Sequence, residues 1–215
     1  MTAVFLELTM SLDGFVAGPN PTLEEPLGVG GERLHEWMTA TQAWRERHGE
    51  AGGETTATSE MVERELARQG ALVMGRQMFG GGEGPWGDDP WQGWWGDDPP
   101  FHQQVFVVTH HAREPLVKGD TTYNFVTDGV GSAIERARSA AADRGRDVIV
   151  AGGASIAQQA LRAGLLDELF LHVSPVLLGG GRRLFDEHGP LALGLEQTEV
   201  IESPNATHLR YRVVH

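Results

Sequence analysis

Cysteine is absent from all 215 residues. That removes disulfide frameworks, thiolate metal sites, iron–sulfur clusters and a cysteine nucleophile, and a zinc-deaminase HxE with PCxxC cannot occur. Basic side chains are scarce: 17 Lys and Arg stand against 30 Asp and Glu, a formal charge of −13, and they do not cluster along the chain. Such a surface repels phosphate backbones and anionic lipid, so neither nucleic acid nor a membrane is expected as a partner. No apolar run approaches the roughly 18–20 residues that span a bilayer. The N-terminus also lacks a basic region followed by an apolar stretch, and the expected location is the cytoplasm. GxGxxG is missing, which disfavours an ordinary Rossmann cofactor site. Ser11, Ser155 and Ser174 lack a GxSxG elbow, which argues against a hydrolase triad. The nine histidines show no metal-ligand spacing, and the adjacent His110 and His111 point to opposite faces of an extended segment, so no metal site is expected.

Glycine and tryptophan are plentiful: there are 29 glycines, and four of the six tryptophans (Trp86, Trp91, Trp94, Trp95) fall within residues 86–95. Apolar alternation predicts a first strand over 2–9, then a long Gly- and Pro-rich loop. The pattern predicts helices over 32–47 and 59–69, a strand over 71–74, and strands over 105–108 and 123–126. It continues with a helix over 130–144, a strand over 147–150, a helix over 154–163 stopped by Gly164, and an extended pair over 169–178 interrupted by Pro175. The end reads as a hairpin, 195–202 and 207–214, turning at 203–205. Strands alternating with helices, closed by an antiparallel hairpin, predict a single-domain α/β fold over 1–215 on a mostly parallel sheet. Irregular insertions lie at about 20–60 and 80–101.

In such sheets ligands bind beyond the C-terminal ends of the strands, where glycine admits close backbone approach and helix N-termini present N–H groups to anions. VMGRQMFG has this form at Gly75-Arg76, and VIVAGGASIAQQAL has it at Gly152-Gly153 and Ser155. Each alone also fits a tight turn that needs glycine for packing. VVTHHAR adds Thr109, His110, His111 and Arg113 at a third strand end. Three anion-friendly strand ends point to a dinucleotide with several phosphates, NADPH more than NADH.

SLDGFVAG, VMGR, VVT, VAGGASIAQQAL and AGLLDELFLHVSPVLLGGGRRLF together resemble the dihydrofolate reductase-like fold, and most of all the C-terminal reductase domain of the bifunctional riboflavin deaminase-reductase. The resemblance implies that the loop after the first strand closes over the nicotinamide, with Ala17 and Gly18 beside the ring and Asp13 toward the substrate. It implies that Gly75, Arg76, Gln77 and Met78 hold the adenosine half of NADPH, and that Thr109 and His110 contact the 2′-phosphate. Gly152, Gly153, Ala154, Ser155 and Ile156 match the pyrophosphate turn. The chain departs from the family at Met78, where Thr or Ser is usual, and at Phe15 and Val150, where a basic residue and a Glu recognise the ribosyl-pyrimidine. With those two positions apolar, the expected substrate is another small planar or heterocyclic molecule reduced at C=N or C=O. The riboflavin precursor, 5-amino-6-(5-phosphoribosylamino)uracil, is the alternative.

Asp13 is a candidate proton donor or substrate acceptor, and equally a turn-forming Asp-Gly. His35, Glu36 and Trp37 begin a helix where dihydrofolate reductases place their substrate-binding carboxylate. Glu36 or His35 is therefore a candidate general acid, and an exposed charged pair is the plainer reading. Trp86 and Trp91 either stack on a planar substrate or bury their rings in the core or a subunit interface, and a loosely ordered loop is the third reading. A non-catalytic dinucleotide-binding or assembly protein remains open, and the resemblance together with the apolar hairpin implies a homodimer.

Overall fold

The computed structural model describes residues 2–22, 24–185 and 193–214. In chain order the elements are β1 (Val4–Ser11), β2 (Phe15–Ala17), a 3-10 turn (Gly31–His35), α1 (Glu36–Thr39), α2 (Gln42–Arg47), α3 (Ala57–Arg68), β3 (Gln69–Gly75) and α4 (Arg76–Phe79). They continue with β4 (Gln104–Val108), β5 (Leu116–Lys118), β6 (Thr121–Val126), α5 (Val130–Ala142), β7 (Asp147–Gly152), α6 (Ala154–Arg162), β8 (Glu168–Ser174), β9 (Arg182–Arg183), β10 (Gly194–Ser203) and β11 (Ala206–Val214). The backbone forms two compact units, neither continuous in sequence: residues 1–6 with 69–167, and 7–68 with 168–215. This interleaving leaves no composition shift to mark a boundary.

In the first unit the strand order is β1-β7-β3-β4-β6-β5. Every pairing is parallel except β5 with β6. Strands buried on both faces read as continuous apolar runs, as ALVM and QVFVV do. One face is covered by α5, whose Ala133, Ile134, Ala137 and Ala141 recur at helical spacing and are all fully buried. Another apolar cluster joins Phe5, Leu72, Met74, Phe79, Val105, Val107, Tyr123 and Ile149. Trp86, Trp91, Trp95 and Phe101, all partly buried, pack against this cluster.

The second unit is antiparallel, in the order β10-β11-β8 with β1 beside β8. Its core gathers Trp37, Met61, Val62, Phe170 and Ala206. A separate pair, β2 with β9, matches Phe15 to Arg183 and Ala17 to Arg182. The helix predicted over 32–47 is broken into three pieces. Thr41 is extended (φ −76°, ψ 147°), and its hydroxyl accepts the Trp44 N–H at 3.3 Å, so it starts α2 anew. The extended pair predicted over 169–178 ends at Ser174, before Pro175.

Candidate active site

In the first unit, the parallel register places Gly75 beside Val108, next to Thr109, and Met74 beside Gly152. The three strand ends singled out in the sequence thus lie side by side. A Cβ on Gly75 would fall 2.8 Å from Ile156 Cγ1, so the close approach of β3 to the start of α6 requires glycine there. Gly152 sits at φ +123°, a backbone region that L side chains rarely adopt. At the start of α6, Gly153 O accepts from Ile156 and Ala157, whereas the Ala154 and Ser155 N–H groups meet no acceptor among the described residues.

Arg76 leads α4 out of β3. Its guanidinium donates to the carbonyls of Gly80 at 3.1 Å and Gly81 at 3.0 Å, reaches Thr109 Oγ1 at 3.5 Å, and lies 3.1 Å from the centre of the Trp86 ring. Arg113 stands 5.0 Å from the same ring and donates to the Trp91 carbonyl at 2.5 Å. Trp86 is fixed in turn by its Nε1–H on the His111 carbonyl at 2.9 Å. Burial first, and then the like charge of Arg113, hold Arg76 below the usual guanidinium range; burial does the same to Arg113. Among the described residues no carboxylate pairs with either arginine. Two part-buried guanidiniums, an N-terminal turn with open N–H groups and a threonine hydroxyl form a donor set for phosphate.

The other residues singled out in the first unit divide by burial. Gln77, His110 and Ser155 are exposed. Ala154 and Ile156 are buried, and Met78 packs against the apolar cluster. Val150 is fully buried, with Leu6 and Val73 as its register partners in the sheet.

In the second unit, Asp13 accepts the N–H of Gly179 at 2.7 Å and of Leu178 at 3.2 Å. Hydrogen bonding to Ser11, reinforced by those two N–H groups, holds its carboxyl down at about 2. Asp13 is thus a carboxylate that braces the loop at Leu178 and Gly179 against its own. Phe15 is 7% exposed, and the Arg183 guanidinium lies 4.3 Å over its ring while donating to the Asp13 carbonyl at 3.1 Å. Ala17 and Gly18 follow in the same loop, where Gly18 N–H donates to the Leu27 carbonyl at 2.7 Å. Glu36 is exposed, while its neighbour Trp37 turns inward.

Trp37 meets a buried polar row that the sequence reading missed. Glu7, His172 and His208 sit on β1, β8 and β11, and the Trp37 ring lies 4.4 Å from His172 and 4.7 Å from His208. The only signal in the sequence is alternation, which puts Phe170, His172 and Ser174 on one face of β8 and His208 and Arg210 on one face of β11. Burial raises the Glu7 carboxyl to about 7 against the pull of Arg210 and Arg68. Burial also lowers His35 to about 4, and His172 and His208 to about 3.

Unfolding lets these imidazoles return to an ordinary pKa of 6.5 and take up protons, so their neutral burial stabilises fully above that value and loses its effect as pH falls. Glu7 acts oppositely: its contribution is complete below 4.5 and is lost as pH rises through about 7. With three imidazoles against one carboxyl, the urea midpoint is expected to fall steadily between pH 6.5 and pH 4. A flat profile in that window would show that the rings are not buried neutral.

Parallel strand ends that gather glycine turns, a helix N-terminus and guanidiniums without a carboxylate partner among the described residues are the architecture by which α/β proteins hold anionic ligands. Residues 2–209 match the model of the RibD C-terminal domain, and the chain belongs to that family, one of oxidoreductases. A structure of a protein from Shewanella sp. PV-4 assigned to riboflavin biosynthesis is similar at 21% identity and TM-score 0.62, covering 100% of both chains. RibD of Acinetobacter baumannii is similar at 18% identity and TM-score 0.56, over 100% of this chain and 59% of its own. The riboflavin biosynthesis reductase Rib7 of Saccharomyces cerevisiae shares 16% identity at TM-score 0.54, over 99% of this chain and 90% of its own. At these identities the likeness is one of fold, and it agrees with the dihydrofolate reductase-like α/β expectation. No curated protein matches the sequence. Among the described residues no helix is long and apolar enough to cross a membrane, and no group of His, Asp or Glu has a metal-holding arrangement.

Proposed function

We propose that the chain is an NADPH-dependent reductase acting on a C=N or C=O bond of a small planar or heterocyclic substrate. The pair Arg76 and Arg113 carries this reading, since a protein of net charge −13 keeps two guanidiniums together without a carboxylate partner among the described residues. NADPH fits there: Arg76, Arg113 and Thr109 offer donors to the 2′-phosphate, and Ala154 and Ser155 offer N–H groups to the pyrophosphate. When bound, the cofactor supplies the hydride, and the protein's task is orientation, exclusion of water and provision of a proton.

A specific observation also supports the alternative, 5-amino-6-(5-phosphoribosylamino)uracil reduction. Phe15 is apolar, but β9 brings Arg183 over its ring, so a cation stands at the position where the family's basic residue is expected. The reading includes a cytoplasmic homodimer, in keeping with the exposed Leu195, Val200 and Val214 of the β10–β11 hairpin.

Titration of the protein with NADPH and NADH, followed by tryptophan fluorescence because Trp86 lies on Arg76, tests the cofactor assignment. NADPH is expected to bind more tightly. Arg76→Ala should weaken NADPH by about 1.5–3 kcal/mol, as for other hydrogen bonds to charged groups, while leaving NADH nearly unchanged. Absence of binding by either nucleotide would overturn the reading.

A further inference from the structure

The Trp-rich segment that follows α4 surrounds the two arginines of the first unit. The Arg76 guanidinium lies 3.1 Å and that of Arg113 5.0 Å from the centre of the Trp86 ring, and Arg113 also stands 4.9 Å from the Phe125 ring. The indole is fixed at three points. Its Nε1–H donates to the His111 carbonyl, and the rings of Phe79 and Phe125 meet it edge-on at 5.9 Å and 5.0 Å. Nearby, Trp91 donates its own Nε1–H to the Phe79 carbonyl at 2.9 Å. A Cβ on Gly80 would fall 2.7 Å from Trp94 Cε2, and one on Gly81 would fall 2.6 Å from Trp91 Cβ. These two tryptophans therefore lie directly on the backbone whose carbonyls take Arg76.

An aromatic face and main-chain carbonyls thus hold both cations. A carboxylate would hold a guanidinium as firmly, but it would also neutralise it. A ring attracts the cation through its quadrupole and carries no net charge, so the full positive charge is left for a ligand. The same segment contains Glu83, Asp88, Asp89, Asp97 and Asp98, all of them exposed. Asp97 pairs with Lys118 at 2.9 Å, and none of the five pairs with Arg76 or Arg113. Donors remain on both arginines. Arg76 Nε and Nη2 donate to Gly80 and Gly81, whereas its Nη1 has only the 3.5 Å contact with Thr109 Oγ1. Arg113 Nη1 donates to Trp91, and its Nε and Nη2 meet no acceptor among the described residues. Like charges kept this close repel one another, which a doubly charged anion relieves and a neutral hydroxyl does not.

We propose that Trp86 is a positioning residue that sets cofactor specificity: by holding Arg76 and Arg113 against one ring, it shapes their free donors into a subsite for a phosphomonoester dianion. This rests on the NADPH reading given above, in which that dianion is the 2′-phosphate. NADH offers only a hydroxyl in its place. A phosphomonoester carries close to two negative charges at neutral pH, enough to answer both guanidiniums at once. Trp86 acts through the arginines and does not stack on the nucleotide base, since Arg76 already covers the ring at 3.1 Å and Phe79 and Phe125 crowd it from elsewhere. The irregular insertion after α4, which the reductase motifs do not include, thereby gains a task in recognising the cofactor.

Calorimetric titration of the full chain with NADPH, NADH and adenosine 2′-monophosphate tests this. Trp86→Leu is expected to weaken NADPH and adenosine 2′-monophosphate by about tenfold and to leave NADH unchanged, and Trp86→Phe, which keeps an aromatic face, should recover most of the loss. In a chain carrying both Arg76→Ala and Arg113→Ala, Trp86→Leu should no longer affect NADPH. Equal weakening of NADPH and NADH, or a loss that persists without the two guanidiniums, overturns the proposal. Should Trp86→Leu fail to fold, fluorine NMR of the chain labelled with fluorotryptophan decides. The Trp86 signal, assigned with Trp86→Phe, is expected to move with adenosine 2′-monophosphate and not with adenosine, and a signal that stays in place overturns the proposal. A wild type that binds NADH as tightly as NADPH overturns it as well. A wild type that binds neither dinucleotide overturns the cofactor reading, and adenosine 2′-monophosphate then decides the subsite alone: binding that Trp86→Leu weakens upholds it, and absence of binding overturns it too.

Discussion

Arg210→Met is expected to destabilise the protein by about 3–5 kcal/mol in chemical denaturation, because it leaves a buried carboxylate without its partner. Arg210 donates to Glu65 at 2.6 Å, Glu168 at 3.0 Å and Glu199 at 3.1 Å, and its guanidinium lies 3.8 Å over the Phe170 ring. Glu65 has 2% exposure and sits on the inner face of α3. Methionine keeps the contact with Phe170 and removes only the charge, so the loss reads the electrostatic part. Arg68, 3.5 Å from Glu65, compensates incompletely because it also serves Glu168 at 3.0 Å. In a Glu65→Gln background the same substitution should cost markedly less, since no buried charge is then stranded; equal costs in both backgrounds would show that the pair is not coupled. The network also has a pH signature. Although burial pushes the Glu168 carboxyl up, Arg68 and Arg210 outweigh it and hold the group below its ordinary value. Its contribution is therefore present above the unfolded-state pKa and disappears as pH falls through the folded-state value.

What could be read in the sequence was local, and what could not was long-range or short. The runs ALVM and VFVV, and the glycines that end their strands, follow from period and backbone freedom alone, and they located the turns at Gly75 and Gly152. The strands β2, β5 and β9 have three, three and two residues, too few to show any period. Thr41 looked like a helix interior residue because nothing in TATQAW distinguishes a cap from a passenger until its backbone is seen to be extended. The tryptophans posed a different difficulty: a ring that can stack on a ligand can equally pack on a phenylalanine, and the edge-on contacts of Trp86 with Phe79 and Phe125 and of Trp95 with Phe101 depend on the fold. Glu7, His172 and His208 are separated by 165 and 36 residues, so their contact depends on strand order and register together. By contrast, the low count of basic residues made Arg76 and Arg113 stand out before any coordinates, and the structure sets both against the same indole ring.

Gly181→Ala is expected to reduce turnover by about 10²-fold with a much smaller effect on global stability, the cost associated with a displacement of roughly 1 Å at a positioning element. The backbone of the second unit packs against itself here. A Cβ on Gly181 would lie 2.1 Å from the Ala17 carbonyl oxygen and 2.7 Å from Gly18 C, and Gly181 has φ +120°. Gly18 would in turn meet the Val29 carbonyl oxygen at 2.2 Å, and Gly28, at φ +72°, would meet that of Gly18 at 2.3 Å. No side chain can yield in these contacts, so the added methyl must push the Ala17–Gly18 segment, the part of the loop that the family resemblance places against the nicotinamide. The loop is held by the Gly18–Leu27 hydrogen bond and the short β2–β9 pair, and the buried cluster of Trp37, Met61 and Phe170 does not depend on it. Gly145→Ala supplies the control, because Gly145 also has a positive φ (+64°) but open space around it. It should lose about 1 kcal/mol of stability from backbone strain and keep its turnover. Equal activity in the two variants would show that the glycine contacts at Ala17 and Gly18 do not position the loop, whereas loss confined to Gly181→Ala, with an increased KM for NADPH, ties the close approach of three backbone segments to the reaction itself.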